Sequence, residues 1–506
     1  MNGMRRREFF KYSAAAGISL ALRGHGVYAA PFSRARGAND DIRVAVVGFR
    51  GHGGSHINSF RQLPGARVVA LCDADRDVLE SGLRKFKSRN EKADGYVDIR
   101  RLLDDKDIDV VSTATPNHWH SLVTVWACQA GKDVCVEKPV SHNIFEGRKM
   151  VEAARKYGRV VQAGTESRSN PALQEAVRYI QAGRLGKILF AYGFCYKRRQ
   201  SMGKVDGRQP IPESVDYNLW TGPAPLKPLM RKKLHYDWHW VWDTGCGEIG
   251  NNGPHQLDIL RWILGQSELP RRVLSLGGRF GYDDDGETPN TQIALFDYEP
   301  APAIYETRGL PRKEGDSNMD VFRISSLAGA KIRSGTESPS PNTGVVIQCE
   351  GGYFEQGTSA AYDNDGKMIK KFDAKDSMAT NVRHDANFLE AVRSRRIEGL
   401  NAEILEGHLS TALAHMGNIS YRLGKDYRPE QIKEVIRADR EMADAFERFS
   451  EHLEANGVDL KKTQAVLGPW LKMDSKRERF VGEFAEQANM LVGRNYREPF
   501  VVPEQV

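Results

Sequence analysis

From residue 41 onward, short apolar runs alternate with segments whose apolar positions recur every three or four residues. The runs at 42–47, 68–71, 109–113, 134–136 and 160–163 are rich in β-branched residues and show no polar alternation, as strands buried on both faces do. Between them, residues 55–62, 75–86, 119–130 and 144–157 have helical spacing. This order predicts a parallel, doubly wound sheet over residues 40–165. After Gly164 the period changes. A helix at 174–182 leads into a long strand at 188–196, and residues 272–276, 292–298, 303–307, 321–326, 345–350 and 352–355 alternate with period two. That pattern predicts a large, mostly antiparallel sheet. Helices at 383–395 and 402–423 are expected to pack against it, giving an α+β domain over 166–424. Residues 425–506 read as charged helices and an extended tail at 496–503. The fold class is α/β, a doubly wound parallel sheet followed by an α+β domain.

The first strand-to-helix turn is Gly48-Phe49-Arg50-Gly51-His52-Gly53-Gly54-Ser55-His56. Glycines at this place let backbone amides approach a pyrophosphate at a helix N-terminus. The match to G-x-G-x-x-G is Gly51, Gly53 and then His56 where the third glycine belongs. The second strand ends at Asp73, the spacing at which a carboxylate takes ribose hydroxyls and repels a 2′-phosphate. NAD is therefore favoured over NADP. Thr115-Pro116-Asn117-His118-Trp119-His120 follows the strand at 109–113. Asn117 can cap the next helix, and His118, Trp119 and His120 either face a cofactor or pack the helix start. The strand at 134–136 stops at Glu137-Lys138-Pro139. Ligands of open α/β sheets sit at carboxyl strand ends, which puts Lys138 at the ligand edge. Its bond to Pro139 is of the kind that tolerates a cis geometry.

In the second half, Lys197-Arg198-Arg199 opens a loop reaching Asp216, either solvated or in contact with an anionic group. Residues 235–243 are the most aromatic stretch of the chain. There Tyr236, Trp238, His239 and Trp242 either stack on a sugar ring or fill a core. From Gly250 the spacing is helical and sets Asn251, His255, Asp258 and Trp262 on one face.

Taken together, the turn at 48–56, Asp73, Thr115-Pro116-Asn117-His118, Glu137-Lys138-Pro139, the 247–258 segment with His255, and 387–392 with Gly407-His408 resemble the Gfo/Idh/MocA oxidoreductases over about residues 40–424. The resemblance implies an N-terminal Rossmann domain that binds NAD through Gly48, Arg50, Gly51, His52, Gly53, Asp73, Thr115, Asn117, His118, His120, Glu137 and Lys138. It implies hydride transfer between a sugar carbon and the nicotinamide. His255 would then be the general base, Lys138 the stabiliser of alkoxide charge and Asn251 an orienting group. Tyr236, Trp238, His239 and Trp242 would meet the carbohydrate with Asn251 and His255. No metal is expected. The family often has Asp four residues before the histidine; Asn251 cannot take a proton. Three readings stay open: an oxidoreductase that recycles tightly held NAD in a redox-neutral cycle, a glycoside hydrolase or lyase working through transient sugar oxidation, and a non-catalytic sugar-binding protein. A homo-oligomer formed through the large sheet is also expected.

Charge and cysteine content refine this picture. The 506 residues carry a formal +7. Within residues 1–30, five basic side chains against Glu8 account for +4, leaving +3 elsewhere, so charge gives nucleic-acid binding no support. Arg6-Arg7-Glu8-Phe9-Phe10-Lys11, a weakly apolar run and Val27-Tyr28-Ala29 resemble a twin-arginine export signal over residues 1–30. The apolar run is too short to span a bilayer. An exported protein with no stable membrane insertion after signal removal is expected. The six cysteines form no C-x-x-C pair. Cys72 and Cys135 fall in predicted buried strands, so free thiols are expected.

Overall fold

In the computed structural model, residues 41–322, 342–374 and 377–506 are described. The export segment therefore lies outside the described residues, as does most of the strand expected at 321–326; Val321 and Phe322 are irregular. The first sheet consists of β1 (Ile42–Val47), β2 (Ala66–Cys72), β3 (Asp94–Tyr96), β4 (Val110–Thr113), β5 (Asp133–Val136) and β6 (Val161–Ala163). Its order is β3-β2-β1-β4-β5-β6, all parallel. The helices between them are α1 (Gly53–Gln62), α2 (Arg76–Ser88), α3 (Ile99–Asp104), α4 (His120–Gln129) and α5 (Ile144–Lys156). β4 and β5 are buried at every residue, the physical reason their sequences lack alternation. The register is functionally decisive. Val47 pairs with Cys72 and with Thr113, and Thr113 pairs with Val136. Gly48, Asp73 and Glu137 therefore each stand one residue beyond the same line. That line crosses the point between β1 and β4 where the strand order reverses, which is where ligands of such sheets bind.

α6 (Pro171–Gln181) leads into β7 (Ile188–Tyr196), and α7 (Tyr217–Thr221), α8 (Gly247–Asn251) and α9 (Gly253–Ile263) precede β8 (Arg272–Gly278). β9 (Thr291–Phe296), β10 (Ala303–Arg308), β11 (Thr343–Cys349), β12 (Gly352–Glu355), β13 (Ala360–Tyr362) and β14 (Met368–Lys371) follow, then α10 (Thr380–Ser394) and α11 (Ile404–Arg422). The second sheet runs β14-β13-β12-β11-β7-β10-β9-β8 and is antiparallel except for the parallel pair β7–β10. One face packs on α9 and α11, with Leu257, Leu260, Ala412 and Met416 in that core.

Residues 425–506 contain the expected charged helices but also strands that the sequence did not announce, extending the sheet through β15 (Lys425–Tyr427), β16 (Ala465–Leu467), β17 (Leu471–Asp474) and β18 (Arg479–Val481). β16 and β17 both pair with β8. The helices α12 (Pro429–Ile436) and α13 (Arg440–Ala455) cover the sheet's other face. Phe446 and Phe449 are fully buried there beside Tyr192, Leu274 and Leu295. That face of the sheet is thus covered by this chain's own α13. A short α14 (Ala485–Met490) comes next. The chain then returns to the first domain, where Phe500 is buried against Trp119 and Trp126, ring centroids 5.5 and 6.4 Å away. All six cysteines are buried and unpaired. Among the described residues no helix is long and apolar enough to cross a membrane.

Candidate active site

A cavity of about 430 Å³ lies at the carboxyl edge of β1, β2, β4 and β5. The glycine turn forms its floor. Gly48 has φ +73°, and a Cβ there would stand 2.8 Å from the Thr115 backbone. A Cβ on Gly53 would meet the Gly48 carbonyl oxygen at 2.2 Å. The turn can therefore lie flat against β4 only with glycine at both positions. A dinucleotide needs such a bare cradle, and Gly51, with no neighbour within 4 Å of a built Cβ, leaves room above it. Asp73 is fixed in the far corner by the backbone N–H groups of Phe49 (3.2 Å) and Asp75 (3.1 Å). Burial pushes its carboxyl up to about 6, although both N–H groups pull the other way. These features fit an NAD-sized ligand with its ribose at Asp73.

The opposite end is built by the Glu137-Lys138-Pro139 joint. The Lys138–Pro139 bond is cis. His120 braces the joint, with Nδ1 2.6 Å from the Pro139 carbonyl oxygen and Nε2 2.8 Å from that of Thr115. Burial holds this histidine below its ordinary pKa. The Lys138 ammonium donates to the Asn251 backbone carbonyl, 3.2 Å away, and so meets the second domain. The Asn251 side chain is turned aside and donates to Glu248 Oε2 at 3.2 Å. Glu248 is almost fully buried and clamped by Arg199 through two bonds of 2.9 and 2.6 Å. Lys197 donates to Asn252 Oδ1 at 3.0 Å. Lys197 and Arg199 of the basic run thus brace the segment that carries Asn251. Arg199 and Glu248 carried no signal of this in the sequence, because their pairing spans a loop of unknown course.

The cavity brings together most of the expected residues: Gly48, Arg50, Gly51, His52, Asp73, Thr115, Asn117, His120, Glu137 and Lys138 from the first domain, with Tyr236, Trp238, His239 and Asn251 from the second. His239 stacks on Trp238 with ring centroids 3.6 Å apart. Burial lowers its pKa to about 3, so the imidazole is neutral. Four expected residues do not line the cavity. Gly53 lies beneath Gly48 as a packing position. His118 is fully buried and faces the carbonyls of Thr244 (3.2 Å) and Trp220 (3.1 Å); burial and Arg494 lower it to about 3, so it is a neutral bracket between domains. The backbone N–H of Trp242 donates to Glu287, and its ring lies under the Arg422 guanidinium. His255 is half-buried and lies outside the cavity lining. Burial first, and then the Lys138 charge, lower it to about 4. It is a neutral imidazole within electrostatic reach of Lys138.

The departure at the third fingerprint position has a structural use. His56 reaches from α1 to Glu137 Oε1 (3.0 Å), with its other nitrogen 2.7 Å from Ser112 Oγ. His52 meets the same Glu137 oxygen at 3.1 Å and Glu166 at 3.7 Å. Those two carboxylates raise His52 to about 10.

Comparison with known proteins accords with this geometry. Residues 42–165 match the NAD-binding Rossmann domain of the Gfo/Idh/MocA oxidoreductase family, and residues 182–275 match that family's C-terminal α/β domain. Levoglucosan dehydrogenase of Pseudarthrobacter phenanthrenivorans is 28% identical over 287 residues, 53% of this chain and 65% of the relative. A glycosyl hydrolase family 109 protein of Saccharopolyspora erythraea is 28% identical over 383 residues, 71% of this chain and 75% of the relative. Among solved structures, levoglucosan dehydrogenase in complex with NADH and levoglucosan superimposes with a TM-score of 0.54 at 16% identity, over 74% of this chain and 96% of that one. The NAD-binding domain and the start of the α/β domain that completes its pocket are thus those of the Gfo/Idh/MocA oxidoreductases.

Proposed function

We propose that the protein is an NAD-dependent oxidoreductase acting on a sugar or polyol, and that the reaction centre lies beside Lys138. One observation carries this reading: the Lys138 ammonium points out of the dinucleotide domain and meets Asn251 of the second domain inside a cavity running from Asp73 to the aromatic cluster. Bound NAD supplies a two-electron carrier that accepts or returns hydride. The residues do the rest. Lys138 donates a hydrogen bond to the reacting oxygen and offsets its negative charge. A neutral imidazole takes the hydroxyl proton. Two neutral imidazoles can serve. His239 lines the cavity, its Nδ1 donating to the Tyr236 carbonyl at 2.6 Å and leaving Nε2 free to accept. His255, one helical turn beyond Asn251 and within electrostatic reach of Lys138, is the base proposed here, reached as substrate binds. Tyr236, Trp238 and His239 supply an apolar wall for the sugar ring, and the Glu248–Arg199 pair holds the Asn251 turn in place.

Export through a twin-arginine signal at residues 1–30 belongs to the same proposal. Outside the cytoplasm a dissociated nucleotide is not replaced, so NAD is held through many turnovers and the hydride returns to a sugar. The 28% identical glycosyl hydrolase family 109 relative, matched over 71% of this chain, supports a second form of that cycle in which a glycosidic bond is cleaved with no net redox change. The test is to gel-filter the pure protein, denature a portion to identify retained nucleotide, and assay the rest with glycosides and free sugars without added NAD. Oxidised or epimerised sugar marks the oxidoreductase, and a released aglycone marks the hydrolase. Activity that returns only with stoichiometric consumption of added NAD overturns the retained-cofactor cycle.

A further inference from the structure

Among the described residues one group of side chains has the composition of a metal site, and the reaction proposed above does not use it as one. His52, His56 and Glu137 place three ligand atoms within 4.8 Å of one another. They come from the glycine turn, the first turn of α1 and the end of β5, with His56 and Glu137 81 residues apart. Both imidazoles aim Nε2 at the same atom, Glu137 Oε1, at 3.1 and 3.0 Å. In a tetrahedral site with bonds of about 2.0–2.1 Å, neighbouring ligand atoms stand about 3.3 Å apart. The two histidine-to-carboxylate edges are already close to that length. Glu166, whose Oε1 lies 3.7 Å from His52 Nε2 but outside the three-atom group, is the side chain that can swing in as a fourth ligand.

Three further observations point the same way. The outer nitrogen of His56 is bonded to Ser112 Oγ at 2.7 Å. Here Nε2 donates to the Glu137 carboxylate; once a metal displaces that proton, Nδ1 donates to Ser112 and Nε2 offers its lone pair, the arrangement in which a second partner orients a metal-binding imidazole. Beside the cluster lies a separate small cavity of about 20 Å³, bordered by His52, His56, Glu137, Glu166 and Asp385. That is room for one water-sized particle. Access is open as well: the His52 side chain is 53% exposed while Glu137 is 7% exposed, so the buried carboxylate is reached past a surface imidazole.

We propose that His52, His56 and Glu137, with Glu166 as fourth ligand, bind a first-row divalent cation of the Zn²⁺ class. Two imidazoles and carboxylate oxygens suit such ions better than the all-oxygen preference of Mg²⁺ or Ca²⁺. Binding displaces the proton that His52 shares with Glu137 and replaces hydrogen bonds with coordination bonds. The ion then ties the glycine turn to the ends of β5 and β6, directly beside Lys138. Its role is positional: it fixes the pocket floor and touches no reacting atom. The site stands on its own residues and does not depend on which sugar is used.

The test uses the full chain, stripped with chelator and dialysed against a small excess of Zn²⁺. After gel filtration, elemental analysis should find about one zinc per chain, and the melting temperature should rise with Zn²⁺ as it does for any ion bound only by the folded state. Co²⁺ in place of Zn²⁺ should give the visible absorption of a four-coordinate ion. His52→Ala and His56→Gln should each lower retained zinc at least tenfold and abolish the thermal shift. If His56→Gln does not fold, His52→Ala, at a half-exposed position, decides alone. A parent retaining less than about a tenth of a zinc per chain overturns the proposal, and so does a His52→Ala protein that retains as much as the parent.

Discussion

Lys138 is the residue on which the functional reading turns. Its ammonium is placed by a joint that His120 braces from below and by a carbonyl of the other domain. Lys138→Ala should lower kcat by about 10²–10³-fold, the usual loss of one donor to a developing oxyanion, with NAD affinity changed less than threefold. Steady-state kinetics together with NAD titration check both halves. Asp73 makes a pH prediction. Its carboxyl, raised to about 6 by burial, is ionised at pH 7 and protonated below 6. Ribose hydroxyls donate to the ionised form, so NAD binding should be level above pH 7 and weaken as pH falls through 6. The limit is tenfold per unit, read by calorimetry. Residue-level chemistry was legible where strand ends announced it: Asp73 and Lys138 follow apolar runs that stop abruptly. His118 and Trp242 were not legible, because a histidine or tryptophan in a motif looks the same whether it faces a ligand or a neighbouring backbone. His56 in place of glycine looked like a blemish in the fingerprint and turns out to be a contact with Glu137.

At the scale of elements, the interlocking of α5, α11 and the β17–β18 turn carries the clearest stability argument. Glu478 accepts from Arg148 Nε at 3.1 Å and lies 2.9 Å from His408 Nε2. Burial alone would push its carboxyl up, but the bonds from His408 and Arg148 prevail and hold it at about 2. A carboxyl whose folded pKa lies below the unfolded value adds stability above about pH 4.5, lost as pH falls toward 2. Glu478→Gln should therefore cost about 2–3 kcal/mol at pH 7, and the deficit should shrink as urea melts are repeated toward pH 3. Gly147 belongs to the same contact. A Cβ there would stand 2.3 Å from His408 Nδ1 and 2.9 Å from Ser141 Oγ. Gly147→Ala gains helix propensity but should still lose about 1–3 kcal/mol to overpacking. The long strands and amphipathic helices were readable from period alone. β3, β15, β16 and β18 were not: each has three residues, too few to display a period, and each forms only because a neighbouring strand offers a ladder.

For the whole molecule, the decisive difference from expectation is the chain beyond residue 424. Cutting it there removes β15–β18 and uncovers the sheet face on which Phe446, Phe449 and Leu453 are fully buried. It also strips Glu306, which is completely buried, of Arg448, 3.7 Å away. A 41–424 protein should therefore be insoluble or lack a cooperative thermal transition, whereas a true appendage would leave both unchanged; expression and calorimetry tell these apart. The tail around Phe500 has a consequence for how the protein comes into being. Trp119 borders the cofactor cavity, yet the ring that packs its far side is translated about 380 residues later. The dinucleotide domain therefore precedes, by most of the second domain, the residue that finishes its packing. One wall of the cavity is thereby completed by a residue far along the chain, so the dinucleotide domain reaches its final packing only after the second domain has been made.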